Sequence, residues 1–338
     1  MNKTNKSKKY SDRLGEISDS QLQKALDKFD LGKLRDTAET EAGLFGQNMF
    51  LTSSKGEYVL RGVPHYPWQF KTEKFFADLL HEQTKVPVPW PYLLDEDESI
   101  FGWSYVIMPR MSGHHLSDSI DDADFSKEDR LEIAKAQGRM LAEAQKLTWD
   151  FPGKYDIETS NVIPFKPDYV TWYEGEIMDR LEKSRGYNKM TPDSEVEWAQ
   201  DILDKARPSM KMPFEVAFVM QDYKPGNMVV DKVDDSWEVT GLFDLMESSF
   251  GNGEADLSRM FSVYFDTENV DLAYAFVNAY LEAQGKQEEF EERWKVFMLH
   301  DRTIIWEWVQ RTDRVWWNKE WTFKEWVSRY MDFDGSRN

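Results

Sequence analysis

Four polar side chains in the second half of the chain have the types and spacing for phosphoryl transfer. Asp222, Lys224 and Asn227 fall within six residues, in the stretch Asp222-Tyr223-Lys224-Pro225-Gly226-Asn227. Asp222 could accept the proton of a hydroxyl, Lys224 could hold a phosphate, and the side-chain carbonyl of Asn227 could meet Mg²⁺. Seventeen residues after Asn227, the run Gly241-Leu242-Phe243 ends on a lone carboxylate, Asp244, a second candidate metal ligand. Phosphoryl transfer needs these jobs done within a few ångströms, because its catalysis is mostly positioning and charge neutralisation. Each residue also has a plainer reading: Asp in a loop is usually a turn former, and so is Asn before a strand.

The elements that must position these residues are mostly strands. An apolar run from Phe214 to Met220 leads into the polar loop, and a second run, Met228 to Val230, follows it. That pattern predicts two short strands holding a tight loop with Pro-Gly at its turn. The strands continue to Phe243, with Asp231 to Asp235 as an acidic turn. Upstream, strands are predicted over Thr37–Glu41, Met49–Ser53 and Glu57–Val63, with Gly43 to Asn48 as a glycine-bearing turn. Backbone N–H groups in such a turn can approach triphosphate oxygens. A helix from Trp68 to Thr84 stops at the Pro-rich run Val86 to Pro91, and Trp103–Met108 reads as a buried strand. Helices are predicted over Leu22–Phe29, Ser126–Lys146 and Thr171–Arg185, and from Thr191 with Pro192 as the first helical residue. Residues 147–168 read as loop, and the chain beyond Asp256 reads as helical.

The motif Asp222-Tyr223-Lys224-Pro225-Gly226-Asn227 resembles the D-x-K-P-x-N catalytic loop of the protein kinase-like superfamily, with Phe243-Asp244 in the place of D-F-G. The run Gly251-Asn252-Gly253-Glu254-Ala255-Asp256-Leu257-Ser258 is similar to the G-D-P-x-x-D-L-A run of aminoglycoside phosphotransferases. No H-R-D triplet and no A-P-E signature of a protein kinase occurs. Over residues 30 to 290 the chain therefore resembles the aminoglycoside phosphotransferase family.

That resemblance implies an α+β, bilobal protein kinase-like fold. A β-rich N-terminal lobe over residues 18–110 would bind nucleotide, with a hinge near 108–112. A mainly helical C-terminal lobe over 111–338 would hold the catalytic loop and the acceptor pocket. The implied cofactors are ATP, or GTP, and Mg²⁺; the implied acceptor is a hydroxyl of a small molecule. In that frame Asp222 and Lys224 are catalytic, Asn227 and Asp244 hold the metal, and Asp256 braces the loop. Gly46 and Asn48 lie in the nucleotide-covering turn, Arg61 faces the α- and β-phosphates with Glu73 as its partner, and Met108 and Arg110 belong to the adenine-holding hinge.

Two positions depart from the family pattern. Met220 stands where the family usually has His two residues before the catalytic Asp, which bears on the support of the loop more than on its chemistry. Arg61 stands where the superfamily normally has Lys. An arginine stays charged and binds phosphate bidentately. Its plainer reading is an exposed strand arginine, with Lys71, Lys74 or Lys85 taking its role.

Composition excludes several functions. The formal net charge of −20 argues against nucleic acid, since no chain-wide basic surface exists to neutralise phosphates. The same acidity suits a cationic acceptor. With no cysteine there is no disulfide, thiolate zinc site or thiol nucleophile, which fits a cytoplasmic protein. No His pair has metal-site spacing, no apolar run is long enough to span a membrane, and no signal peptide is expected. Residues 1–17, rich in Lys near the start, read as a mobile tail. A monomer or a homodimer is expected.

Seven of the 14 tryptophans lie between Trp294 and Trp326, among Asp301, Glu307, Asp313, Glu320 and Glu325. Core packing is the first reading of that stripe, and a cage for a cation is the second. The alternative to the enzyme is a catalytically silent kinase-like fold that binds nucleotide, and a partner through these helices. The acceptor is open among aminoglycoside, macrolide, hygromycin-like antibiotic, choline, homoserine and sugar.

Overall fold

The chain opens on a hairpin. β1 (Ser7–Ser11) and β2 (Gly15–Ser18) pair antiparallel, and Ser18 then caps α1 (Asp19–Lys28) in a reciprocal box with Gln21. The computed structural model describes residues 7–40, 46–117, 125–187 and 189–333. The expected mobile tail over 1–17 is therefore corrected from Ser7 onward. Tyr10, Leu14 and Ile17 are buried against Leu22, Ala25 and Leu26 of α1, and that apolar burial orders a segment whose charges suggested a loose end.

These side chains cover one face of a five-stranded antiparallel sheet. Its strands are β3 (Leu34–Glu39), β4 (Asn48–Ser53), β5 (Glu57–Gly62), β6 (Leu93–Asp95) and β7 (Tyr105–Pro109), in the order β3-β4-β5-β7-β6. Strand side chains alternate between faces. Met49, Leu51, Leu60, Tyr105 and Ile107 thus pack on the hairpin and α1, while Asn48, Phe50, Val59, Arg61, Val106 and Met108 share the opposite face. The register sets Arg61 between Asn48 and Val106, and Val59 beside Met108. Of the expected glycine turn, Gly43 to Phe45 lie outside the described residues.

α2 (Gln69–Gln83) follows β5 and links the two parts of the molecule. Its Phe76 ring lies 5.6 Å from Phe218 and 5.5 Å from Phe250, both in the C-terminal part. The remaining elements are β8 (His114–His115), α3 (Lys127–Ala144), β9 (Gly153–Asp156), β10 (Asn161–Pro164), α4 (Tyr169–Arg185), α5 (Asp193–Met210), β11 (Val216–Val219), β12 (Met228–Val233), β13 (Ser236–Leu242), β14 (Ser249–Asn252), α6 (Leu257–Asp266), α7 (Val270–Gln284), α8 (Phe290–Thr312) and α9 (Phe323–Met331). The fold is α+β, sheet-rich first and mainly helical afterwards.

Three local expectations change. Residues 147–168 carry the β9–β10 hairpin rather than loop alone. Pro192 precedes α5 instead of starting it. The strands on either side of the polar loop do not pair with each other: β11 joins β14 in the sheet β10-β9-β14-β11, and β12 joins β13 in the sheet β13-β12-β8. The loop from Met220 to Asn227 therefore bridges two sheets.

Most of the tryptophan stripe is packing, with Trp316 left exposed. Trp294, Trp306 and Trp326 are fully buried, and the cations over this region's rings are the chain's own. Arg302 lies 5.3 Å from the Trp326 ring, Arg329 5.2 Å from Trp321 and Arg314 5.8 Å from Trp308. Among the described residues no helix is long and apolar enough to cross a membrane.

Candidate active site

The polar loop is held from beneath by Asp256. Its Oδ2 accepts the Met220 N–H at 2.6 Å and its Oδ1 the Gln221 N–H at 2.7 Å, and the side chain is wholly buried. Gln221, next in line before Asp222, takes φ +70°, a left-handed conformation a non-glycine residue keeps only when its surroundings dictate it. On the other side, the buried Tyr223 hydroxyl donates to the Gln137 carbonyl of α3 at 2.7 Å. His115 Nε2 lies 3.0 Å from the Gly226 carbonyl. Met220 is buried, and with its N–H on Asp256 the loop is braced without the histidine usual at that position.

The loop's functional groups then converge. Asn227 Nδ2 donates to the Asp222 backbone carbonyl at 2.8 Å and to Asp222 Oδ2 at 3.1 Å. Lys224 Nζ lies 3.4 Å from Asp222 Oδ2, and Arg259 Nε lies 3.3 Å from Oδ1. Burial raises the Asp222 pKa, but the Arg259 and Lys224 cations and the Asn227 amide outweigh it and hold the carboxyl below its ordinary value. Asp222 is thus ionised at neutral pH. Arg259 is itself shared with Asp301 of α8 at 3.0 Å.

Asp244 reaches the same place from β13. The Phe243 N–H donates to the Asn227 carbonyl at 3.1 Å, and Asp244 follows at φ +69°. Arg61 sits behind it, with Nη2 3.1 Å from Asp244 Oδ1 and Nη1 3.0 Å from Glu73 Oε2. Glu73 also accepts from the Tyr92 hydroxyl and from Gln69 Nε2. Burial works against the Arg61 charge, but Glu73 and Asp244 more than compensate, so the guanidinium stays protonated. Lys71 and Lys74 pair instead with Glu96 and Asp78. Arg61 is buried and paired, not an exposed strand arginine. A cavity of about 10 Å³, room for one water, is lined by Arg61, Glu73, Tyr92, Met108 and Asp244 among others.

The Asp222 and Asp244 side chains remain 31% and 32% exposed, so both are partly open to solvent. The Asn227 amide turns its nitrogen to Asp222, which leaves its carbonyl oxygen to offer. The Asp244 carboxylate and the Asn227 amide oxygen are oxygen donors of the kind Mg²⁺ takes. Among the described residues no group of three or more His, Cys, Asp or Glu is arranged to hold a metal. An ion at this place would need phosphate oxygens to complete its shell.

The other residues singled out in the sequence lie around this centre. Asn48 pairs with Arg61 across the strands, and its side-chain Oδ1 is buried with no hydrogen-bond partner among the described residues. Gly46 adopts φ +59° two residues before β4. Met108 lines the small cavity. Arg110 is engaged elsewhere, its guanidinium 4.0 Å from the Phe50 ring and 3.8 Å from Glu57.

Sequence reasoning missed Arg259, His115 and Glu247. Arg259 was within reach, since it stands three residues after Asp256 and so one helical turn further on. Glu247 is exposed near both carboxylates; partial burial first, then Asp222 and Asp244, push its pKa up. His300 lies beside Tyr173, ring centroids 4.4 Å apart, and is held uncharged, its pKa pushed down to about 3 by burial and the Arg180 cation.

A β-rich part set on a mainly helical one, with paired carboxylates and an arginine–glutamate pair at their junction, defines the kinase-like class of phosphotransferases. The chain belongs to the phosphotransferase enzyme family, whose family model matches residues 39–292. It is accordingly a small-molecule phosphotransferase. The fold is similar to that of aminoglycoside 2'-phosphotransferase-IIIa in its GDP complex, at 12% identity and a TM-score of 0.62, covering 95% of this chain and 99% of that one. It is also similar to a thermostable mutant of aminoglycoside phosphotransferase APH(4)-Ia in ternary complex with ADP and hygromycin B, at 16% identity and a TM-score of 0.59, covering 92% and 97%. A third similar structure, assigned as a fructosamine-3-kinase from Thermobifida fusca, has 16% identity and a TM-score of 0.57, covering 86% and 95%. No curated protein matches the chain.

Proposed function

We propose that the protein transfers the γ-phosphate of ATP, or of GTP, to a hydroxyl of a small cationic molecule. The observation that carries this reading is the meeting of Asp222, Asn227 and Asp244 at one place, with Arg61 behind them. Asp222, ionised and partly open, accepts the hydrogen bond of the acceptor hydroxyl and aligns its oxygen with the γ-phosphorus. As the new O–P bond forms and the bond to the β-phosphate oxygen breaks, the hydroxyl proton passes to Asp222 and the nucleoside diphosphate leaves. Lys224, beside that carboxylate, offsets the charge of the transferred group. Arg61, fixed by Glu73, holds the α- and β-phosphates.

Asn227 Oδ1 and the Asp244 carboxylate are the groups that would hold Mg²⁺, which supplies charge neutralisation between the phosphates. Asp256 keeps the loop in register. The net charge of −20 and the exposed Glu247 beside Asp222 favour a cationic acceptor. The aminoglycoside class named for two of the similar structures is one such candidate.

The test is a panel of hydroxylated antibiotics and metabolites offered with Mg-ATP and with Mg-GTP, read as a mass gain of one phosphate. Asp222→Asn is expected to lower turnover of the responding acceptor by about 10²–10⁴-fold. Transfer undiminished in that variant would remove Asp222 from the reaction.

A further inference from the structure

Residues 7–18 precede the stretch that the family model matches, yet the β1–β2 hairpin is tied to the candidate nucleotide site at three points. Ser11 Oγ donates to the Gly46 carbonyl at 2.5 Å. Contact there is close, since a Cβ at Gly46 would stand 3.1 Å from Ser11 Cβ. Arg13 Nε donates at 2.8 Å to the Val63 carbonyl, which also receives Gln47 Nε2 at 2.6 Å. Arg13 Nη1 lies 3.0 Å from His65 Nδ1.

From His65 the contacts continue inward. The His65 N–H donates to Gln69 Oε1 at 2.8 Å, and Gln69 Nε2 donates to Glu73 Oε1 at 3.3 Å. Glu73 pairs with Arg61, and Arg61 with Asp244. The hairpin is itself stiff, because Tyr10, Leu14 and Ile17 are anchored in the core under the five-stranded sheet. Polar contacts thus join the hairpin to Gly46, to the end of β5 and, through His65, Gln69 and Glu73, to Arg61.

We propose that the N-terminal hairpin is a positioning element of the nucleotide site, in which Ser11 and Arg13 hold Gly46 and the end of β5 at the triphosphate and keep Arg61 aligned with its phosphates. The inference rests on the nucleotide-binding reading above. Arg13 directs its donors at a carbonyl and an imidazole, so it acts through other residues and touches neither substrate. Its loss should therefore register on the nucleotide and not on the acceptor.

The probe is a non-hydrolysable imido analogue of ATP with Mg²⁺, titrated calorimetrically into the full chain. Arg13→Ala is expected to weaken its binding about tenfold, the scale of a lost charge-assisted hydrogen bond. Arg13→Lys, which keeps the charge without the fork, is expected to fall between that variant and the wild type. The acceptor KM, and kcat at saturating nucleotide, should stay at wild-type values. Ser11→Ala removes one hydroxyl and no buried apolar group, so it tests the same contact if Arg13→Ala folds poorly; weaker binding is again expected. Unchanged analogue binding in the folded variants would overturn the role of the hairpin alone. A wild-type protein that binds no Mg-nucleotide would overturn the nucleotide reading, and this inference with it.

Discussion

Asp256 touches no substrate in this account and still decides where Asp222 stands. It receives two backbone N–H groups at the start of the loop, while burial pushes its pKa up to about 7 against their pull. Asp256→Asn keeps one acceptor and turns an amide toward the other N–H, a loss of about 1–3 kcal/mol. Denaturant unfolding of the two proteins measures it. A folded-state carboxyl pKa raised from 3.8 to about 7 contributes stability that is full below 3.8 and fades as pH rises through the higher value. The gap between wild type and Asp256→Asn is therefore expected to narrow from about pH 4 to about pH 7. A gap that widens with pH would contradict the burial argument. At this scale the spacing of Asp222, Lys224, Asn227 and Asp244 was legible in the sequence, because short-range order sets it. His115 and Arg13 were not, because each meets its partner only through tertiary packing.

Elements show the same division. The Ser126 box with Asp129 starts α3 as its residues suggest, since capping is local. The β9–β10 hairpin was not legible because four-residue strands such as Asn161–Pro164 are too short to carry periodicity. Nor does periodicity say which strand pairs with which, and so the two sheets meeting at the loop could not be read from it. Helix contacts give a sharper test. α3 crosses α7 at Gly138, where a Cβ would lie 2.3 Å from the Phe276 carbonyl oxygen and 2.9 Å from the Tyr280 nitrogen. Backbone atoms there cannot swing aside, so Gly138→Ala is expected to destabilise the protein by about 1–3 kcal/mol. Gly175 of α4 has open space around it, and Gly175→Ala is expected to add stability of about 0.4–1 kcal/mol. Thermal melts of both variants check the pair, and similar shifts in the two would contradict the close crossing.

For the whole molecule, the two parts are joined where the chemistry lies. α2 reaches into the C-terminal core through Phe76, and the same helix carries Glu73, which fixes Arg61 beside Asp244. The α+β class and the family were legible from a few motifs. The acceptor was not, because the groups on its side of Asp222, Glu247 and Arg259 among them, are scattered along the chain and gain meaning only when assembled. The central claim is that Asp222, Asn227 and Asp244 form one metal–nucleotide centre. It is tested most directly by titrating nucleotide into wild-type and Asp244→Asn protein with and without Mg²⁺. Mg²⁺ is expected to tighten binding to the wild type, and the variant to lose this dependence while keeping its metal-free affinity. Equal Mg²⁺ dependence in both proteins would contradict the claim.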